Sequence, residues 1–333
     1  MPDDAEILFD RRGAAGIVTL NRPQALNAVT HGMVRALRER LDAWRGDPAV
    51  TRVVVTAAGE RAFSAGGDLR ALYELGRAGR FEEALDFWRD EYALNAAIKH
   101  FPKPYVALID GIVMGGGVGV SVHGSHRVAG DRYLFAMPEV GIGFFPDVGA
   151  TWFLPRLAGE LGTFCALTGE RLRADDAVAS GVATHRVRSA RFGELLDGLC
   201  GTVPVDALLA AFAEPAVEGP VGRMRGDIDC HFAADTVEGI LASLDRGDES
   251  AHVLAATIRA KAPLSLKIAL AQMRRGRAWS FDECMRAEFR IVSRIVEGED
   301  FYEGVRAVIV DKDNAPRWRP ATFAEATVAA VER

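Results

Sequence analysis

Apolar and polar residues change rhythm along the chain. Ile7–Phe9 and Ile17–Leu20 flank a glycine turn at Gly13–Gly16, which predicts a pair of strands. After Thr30 the period lengthens. Met33, Leu37, Leu41 and Trp44 recur at helical spacing, so a helix is predicted from His31 to about Arg45 with Thr30 as its N-cap. The β-branched run Arg52–Thr56 reads as a buried strand, and Leu69–Gly76 and Phe81–His100 read as helices. Tyr105–Ile109 is a further strand ended by Asp110-Gly111, Gly115–His123 opens a helix, and His126–Ala129 is another strand. Strands that alternate with helices through short glycine turns indicate an α/β architecture. Beyond Ser189 the pattern turns helical, at Thr236–Leu244, Ala251–Arg259, Ser265–Arg274, Phe281–Val296 and Phe301–Val310. The expectation is a mixed α/β (α+β) core followed by a helical C-terminal part.

Composition narrows the class. The 333 residues are 49% hydrophobic and 26% charged, which suits a globular chain with a sizeable core and excludes a disordered or fibrous one. A net charge of −6 argues against a general nucleic-acid binder, whose affinity rests on neutralising phosphates. The cysteines Cys165, Cys200, Cys230 and Cys284 show neither metal-pair spacing nor a disulfide framework, so a reducing cytoplasm is expected. Asp3, Asp4, Glu6 and Asp10 with no basic stretch predict no secretory leader. The most apolar stretch, Tyr105–Val122, contains Asp110 and several glycines, whereas a bilayer span needs about 20 mainly apolar residues. No membrane partner is expected.

Two glycine segments carry candidate chemistry. Gly115-Gly116-Gly117-Val118-Gly119 follows a strand, but the dinucleotide fingerprint fails because its third glycine would fall on Val120. The P-loop fails too, since no Gly-Lys-Ser/Thr follows. A nucleophile elbow is nearly present at Gly119-Val120-Ser121-Val122-His123, with His123 where the closing glycine should stand. Tight helix–strand packing explains such glycines. So does a ligand that approaches bare backbone N–H groups, as an oxyanion does. Ala65-Gly66-Gly67-Asp68-Leu69 has the same character, with Asp68 near a helix N-cap.

Three carboxylates stand in apolar company. Glu139 and Asp147 lie within Met137–Gly149, where the charged form is disfavoured unless something compensates it. Such a pair can divide acid, base or nucleophile roles; alternatively each caps a turn, Asp147 standing just before a helix start. Glu91 shares a helical face with Ala84, Phe87, Leu94 and Ile98, so it is either paired with a cation or used. His123 and His126 lack further ligands at a familiar spacing, and no metal site is expected.

Taken together, these segments resemble the enoyl-CoA hydratase/isomerase, or crotonase, superfamily. Asn21-Arg22-Pro23 with Leu26-Asn27-Ala28, Ala62–Asp68, and Asp110-Gly111 before Gly115-Gly116-Gly117 look like its signatures, in order, over roughly residues 6–200. Hydratases of this superfamily carry a glutamate shortly after the glycine triplet, where this chain has Gly119; their second glutamate matches Glu139, and Asp147 is an additional acid. That combination is similar to the branch formed by 3-hydroxyisobutyryl-CoA hydrolases. So are Asp90–Asn95, Met114–His123 and Phe301–Ala307 with Asp311-Lys312-Asp313, which extend the likeness into the helical tail.

The resemblance implies a crotonase-like ββα-superhelix core over residues 1–200, with a helical C-terminal region over 201–333 packed on it. It implies that Gly67 and Gly116 offer N–H groups to a thioester oxygen, that Glu139 is the main catalytic carboxylate, and that Asp147 handles the acyl hydroxyl or assists proton transfer. It further implies that Glu91 lines the acyl site and that Ala65, Asp68 and Leu69 contact the coenzyme A part. The implied reaction is hydrolysis of a short branched 3-hydroxyacyl-CoA, as in valine breakdown, with an acyl-CoA partner and no cofactor beyond the coenzyme A of the substrate. Enoyl-CoA hydratase or isomerase activity, and a non-catalytic acyl-CoA-binding role, are the alternatives. Superfamily members often form trimers or hexamers, which leaves a homo-oligomer open.

Overall fold

Among the described residues ten strands form, in chain order β1 Ile7–Arg12, β2 Ala15–Leu20, β3 Arg52–Ala57, β4 Ala62–Ser64, β5 Tyr105–Ile109, β6 Ile112–Met114, β7 His126–Ala129, β8 Leu134–Ala136, β9 Leu172–Arg173 and β10 His185–Arg186. The computed structural model describes residues 5–215 and 217–332, so Asp3 and Asp4 lie outside the described residues. Six strands make one sheet in the order β1-β2-β3-β5-β7-β10, and four make a second in the order β4-β6-β8-β9. In the larger sheet only the β1–β2 pair is antiparallel. β3 and β5 read as nearly unbroken apolar runs because a parallel strand covered on both faces needs no polar alternation. β1, at the edge, keeps the alternation.

The residues gather into two compact units. One comprises Met1–Gly67, Asp90–Phe135 and Leu172–Arg223; the other comprises Asp68–Arg89, Ala136–Arg171 and Met224–Arg333. This boundary differs from the expected one at residue 200. The chain leaves the strands after Gly67 and again after Phe135, and what it builds there gathers with the C-terminal helices.

In the first unit, Val54, Val106, Leu108 and Val128 of the large sheet pack against Leu195, Leu199, Val205 and Leu209 of later helices. Thr30 caps the helix His31–Gly46 by accepting from the Met33 N–H at 3.2 Å, as the pattern predicts. Leu195 is fully buried, so Leu195→Ala is expected to lower stability by about 2–5 kcal/mol, read from urea unfolding. A loss under about 1 kcal/mol would show that this packing is not what holds the unit together.

The second unit is mainly helical. Ser280 and Glu283 form a reciprocal capping box that starts the helix Phe281–Ile295. The segment Phe301–Asp313 is organised by Arg306, whose guanidinium donates to Glu303 at 2.9 Å, Asp311 at 2.7 Å and Asp313 at 2.6 Å. The helix expected over Phe301–Val310 is α only at Asp300–Val305 and continues as a π turn at Arg306–Val310. Among the described residues no helix is long and apolar enough to cross a membrane.

Candidate active site

The two glycine turns converge because of strand pairing. β4 and β6 run parallel, with Ala62 opposite Ile112 and Ser64 opposite Val113, so the turns that follow them lie side by side. Gly115 has φ +44°, ψ −123°, a conformation closed to L side chains, and the helix that follows is only Gly116–Gly119. The longer helix expected to His123 does not form; Val120 is the C-cap, and the Ser121 hydroxyl donates to the Gly117 carbonyl at 2.8 Å. A Cβ built on Gly116 would stand 3.2 Å from the Gly67 nitrogen and 2.6 Å from Glu91 Oε1. Gly67, Gly116 and Glu91 are therefore one constellation, with Ala65 at the start of the first turn, its N–H donating to the Leu26 carbonyl at 2.9 Å. Gly117 serves packing, since a Cβ there would meet the Ser64 carbonyl at 2.5 Å. Glu91 is 2% exposed on the helix Phe81–Lys99. One turn further on, Asn95 is fully buried with neither side-chain amide atom hydrogen-bonded among the described residues.

The second unit carries the other acids. Asp68 caps the helix Leu69–Arg77 by accepting from the Ala71 N–H at 3.3 Å, which places Leu69 at the first helical position. Glu139 opens the 3₁₀ turn Glu139–Ile142, is 6% exposed, and has no hydrogen-bond partner at Oε2 among the described residues. The residues between the two acids supply the dry surroundings. Phe144 stacks on Trp88 at 5.6 Å and packs against Phe145 at 4.6 Å and Phe301 at 5.3 Å. Burial pushes the Glu139 carboxyl well above the usual carboxylate range, and the charge of Asp147 adds to it. Asp147 is also buried, and it is not the cap of the next helix: Gly149 is, with no side-chain bond.

A third acid joins them. Glu288 is fully buried; its Oε2 accepts from the Gly149 N–H at 2.8 Å and its Oε1 from the Thr151 N–H at 3.0 Å. Burial first, and the Asp147 charge second, push its carboxyl up to about 8. The expectations above missed it, although its signal stands in the sequence. Phe281, Cys284, Met285, Glu288 and Val292 form one buried helical stripe, the same pattern that singled out Glu91. A pH dependence follows. The unfolded chain releases this proton near the ordinary glutamate value of 4.5, while the folded chain holds it to about 8. Stability therefore falls as pH rises between those values, and Glu288→Gln is expected to flatten the fall. Equal slopes for parent and variant in urea unfolding at pH 5 and pH 8 would contradict it.

His126 is occupied structurally, its ring nitrogens meeting Asp206 at 2.7 Å and Ser125 at 2.8 Å. Among the described residues no group of three or more His, Cys, Asp or Glu is placed to hold a metal ion.

The family model described as enoyl-CoA hydratase/isomerase matches residues 15–333. The chain belongs to the enoyl-CoA hydratase/isomerase family. Within that family, it is 46% identical over 332 residues to a protein of Danio rerio named 3-hydroxyisobutyryl-CoA hydrolase, mitochondrial, covering 96% of this chain and 86% of the relative. The human protein of that name is 43% identical, covering 97% of this chain and 86% of the relative. Among solved structures, one titled as a carnitinyl-CoA dehydratase from Mycobacterium thermoresistibile matches with a TM-score of 0.94 and 44% identity, over 99% of this chain and 96% of that one. One titled as an enoyl-CoA hydratase from Rhodobacter sphaeroides 2.4.1 matches with a TM-score of 0.92 and 39% identity, over 98% and 96%. The crotonase fold is thus shown, C-terminal helices included. The mitochondrial relatives overturn the expected cytoplasmic location. Cys165, Cys200, Cys230 and Cys284 are free thiols in the structure, which does not distinguish one compartment from another.

Proposed function

We propose that this chain hydrolyses the thioester of 3-hydroxyisobutyryl-CoA, giving 3-hydroxyisobutyrate and coenzyme A, a reaction of valine breakdown. The observation that carries the reading is the disposition of acids. Position 119, where a hydratase of this family holds one catalytic glutamate, is a buried glycine, while Glu139 and Asp147 are buried acids coupled through charge. The names of the curated relatives support the same reaction.

In this reading the Gly67 and Gly116 N–H groups stabilise the negative charge that develops on the thioester oxygen. Glu139 attacks the acyl carbon, the C–S bond breaks, the thiolate leaves and takes up a proton, and water opens the resulting anhydride. Alternatively Glu139 takes a proton from a water that attacks directly. Both routes consume one water per thioester. Asp147 orients the 3-hydroxyl or relays the proton. Glu91 lines the acyl pocket, and Ala65, Asp68 and Leu69 meet the coenzyme A moiety. No metal or redox group enters the scheme, so activity is expected to survive a chelator.

The names of the two structural neighbours, a carnitinyl-CoA dehydratase and an enoyl-CoA hydratase, favour a second reading, hydration or dehydration at an acyl-CoA double bond. One experiment separates them. With 3-hydroxyisobutyryl-CoA, free thiol release is expected; with crotonyl-CoA, no loss of the double bond is expected. Double-bond loss without thiol release would replace the hydrolase reading by the hydratase one.

A further inference from the structure

The turn that carries Asp147 is held from two helices at once. Its Val148 has φ +50° and is fully buried, a backbone state that a β-branched residue adopts only when its surroundings impose it. Gly149 follows at φ +89°. From the helix Pro263–Gly276, the Gln272 amide donates to the Pro146 carbonyl at 3.0 Å and to the Thr151 hydroxyl at 2.7 Å. One turn later on that helix, Gly276 lies so close that a Cβ would meet the Thr151 carbonyl at 2.0 Å. From the helix Phe281–Ile295, Glu288 takes the Gly149 and Thr151 N–H groups. Every one of these contacts spans more than 110 residues of sequence, so local chain preference creates none of them.

We infer that Glu288 and Gln272 are positioning residues for Asp147: the two C-terminal helices hold the Pro146–Thr151 turn in its strained form and so keep Asp147 in place for the reaction. The inference rests on the reading that Asp147 serves thioester hydrolysis. Glu288 suits the task chemically. Each of its two oxygens accepts one of the two N–H groups, whereas an amide of the same shape would set its NH2 against one of those donors. Among the described residues, Asp147 acts on its charge and Cys284 feels it. The Asp147 charge in turn raises the proton affinity of Glu288. Clamp and charge are thus coupled.

The test is a double-mutant cycle on kcat and KM for 3-hydroxyisobutyryl-CoA, run at a temperature where unfolding curves show every variant folded. Glu288→Gln is expected to lower kcat about tenfold, keep KM within about twofold, and shift the alkaline limb of the pH–rate profile. Asp147→Asn alone is expected to lower kcat about a hundredfold. Adding Glu288→Gln to Asp147→Asn is expected to change kcat by less than about twofold, because the clamp acts only through the aspartate. Multiplicative losses in the double variant would overturn the inference and leave the role of Asp147 standing. Full activity of Asp147→Asn would overturn that role and the inference together. Gln272→Met supplies a second, independent arm of the cycle; should Glu288→Gln fail to fold, the same two outcomes are read from it.

Discussion

In the Glu139→Gln variant, thioester hydrolysis is expected to fall by about a thousandfold in kcat, while the protein becomes no less stable at neutral pH. The two halves of this expectation have one cause. A carboxylate that attacks carbon or takes a proton from water must be ionised, and Glu139 sits where burial and the Asp147 charge oppose ionisation. Such a group is a strong base once it ionises, which favours the chemistry. It is also a load on the fold. The unfolded chain gives up the proton near the ordinary value of 4.5 and the folded chain well above it, so stability is lost as pH rises through that interval. A glutamine has the same shape and cannot ionise. Unfolding in urea at pH 5 and pH 8 should therefore show a smaller gap for the variant than for the parent. Activity within tenfold of the parent would remove Glu139 from the centre of the reaction. The route it follows is separable too. During turnover in oxygen-18 water, label in Glu139 marks attack by the side chain, and its absence over several turnovers marks attack by water.

Much of the fold was legible because it depends on local pattern. Met33, Leu37, Leu41 and Trp44 specify the first long helix, and Val53–Val55 and Val106–Ile109 specify buried parallel strands, each without reference to distant residues. What depends on long-range pairing was not. Nothing near Ser64 or Met114 announces that β4 and β6 lie side by side, yet that pairing alone brings Gly67 next to Gly116. Glu139 and Asp147 were recognisable as buried acids from Phe144, Phe145 and Val148 around them. The alternative use of Asp147 as a helix cap failed because Gly149, at positive φ, starts that helix instead. Glu288 escaped notice although it obeys the rule applied to Glu91. The C-terminal helices were read only as a covering, and its partners Gly149 and Thr151 lie almost 140 residues away, at separations of 139 and 137.

Gly116→Ala is expected to lower kcat by about a hundred- to a thousandfold with little change in stability. The backbone of Gly116 permits alanine, and the N–H group remains. The added methyl, however, would stand 3.2 Å from the Gly67 nitrogen and 2.6 Å from Glu91 Oε1. It would fill the space in which the thioester oxygen must sit to reach both donors. The closer contact is to the far end of a flexible side chain, which yields more cheaply than backbone, but no movement of Glu91 empties the space in front of Gly67. The neighbouring Gly117→Ala should behave in the opposite sense. Its methyl would meet the backbone carbonyl of Ser64 at 2.5 Å, which cannot yield without disturbing β4, so stability falls first. Thermal unfolding and thiol release, measured on both variants, separate the two effects. If Gly116→Ala kept activity within about tenfold, the N–H pair of Gly67 and Gly116 would not be the oxyanion site, since shutting the oxygen out of even one such donor costs about a hundredfold or more. If instead it lost stability as Gly117→Ala does, both glycines would be serving the packing of the turn.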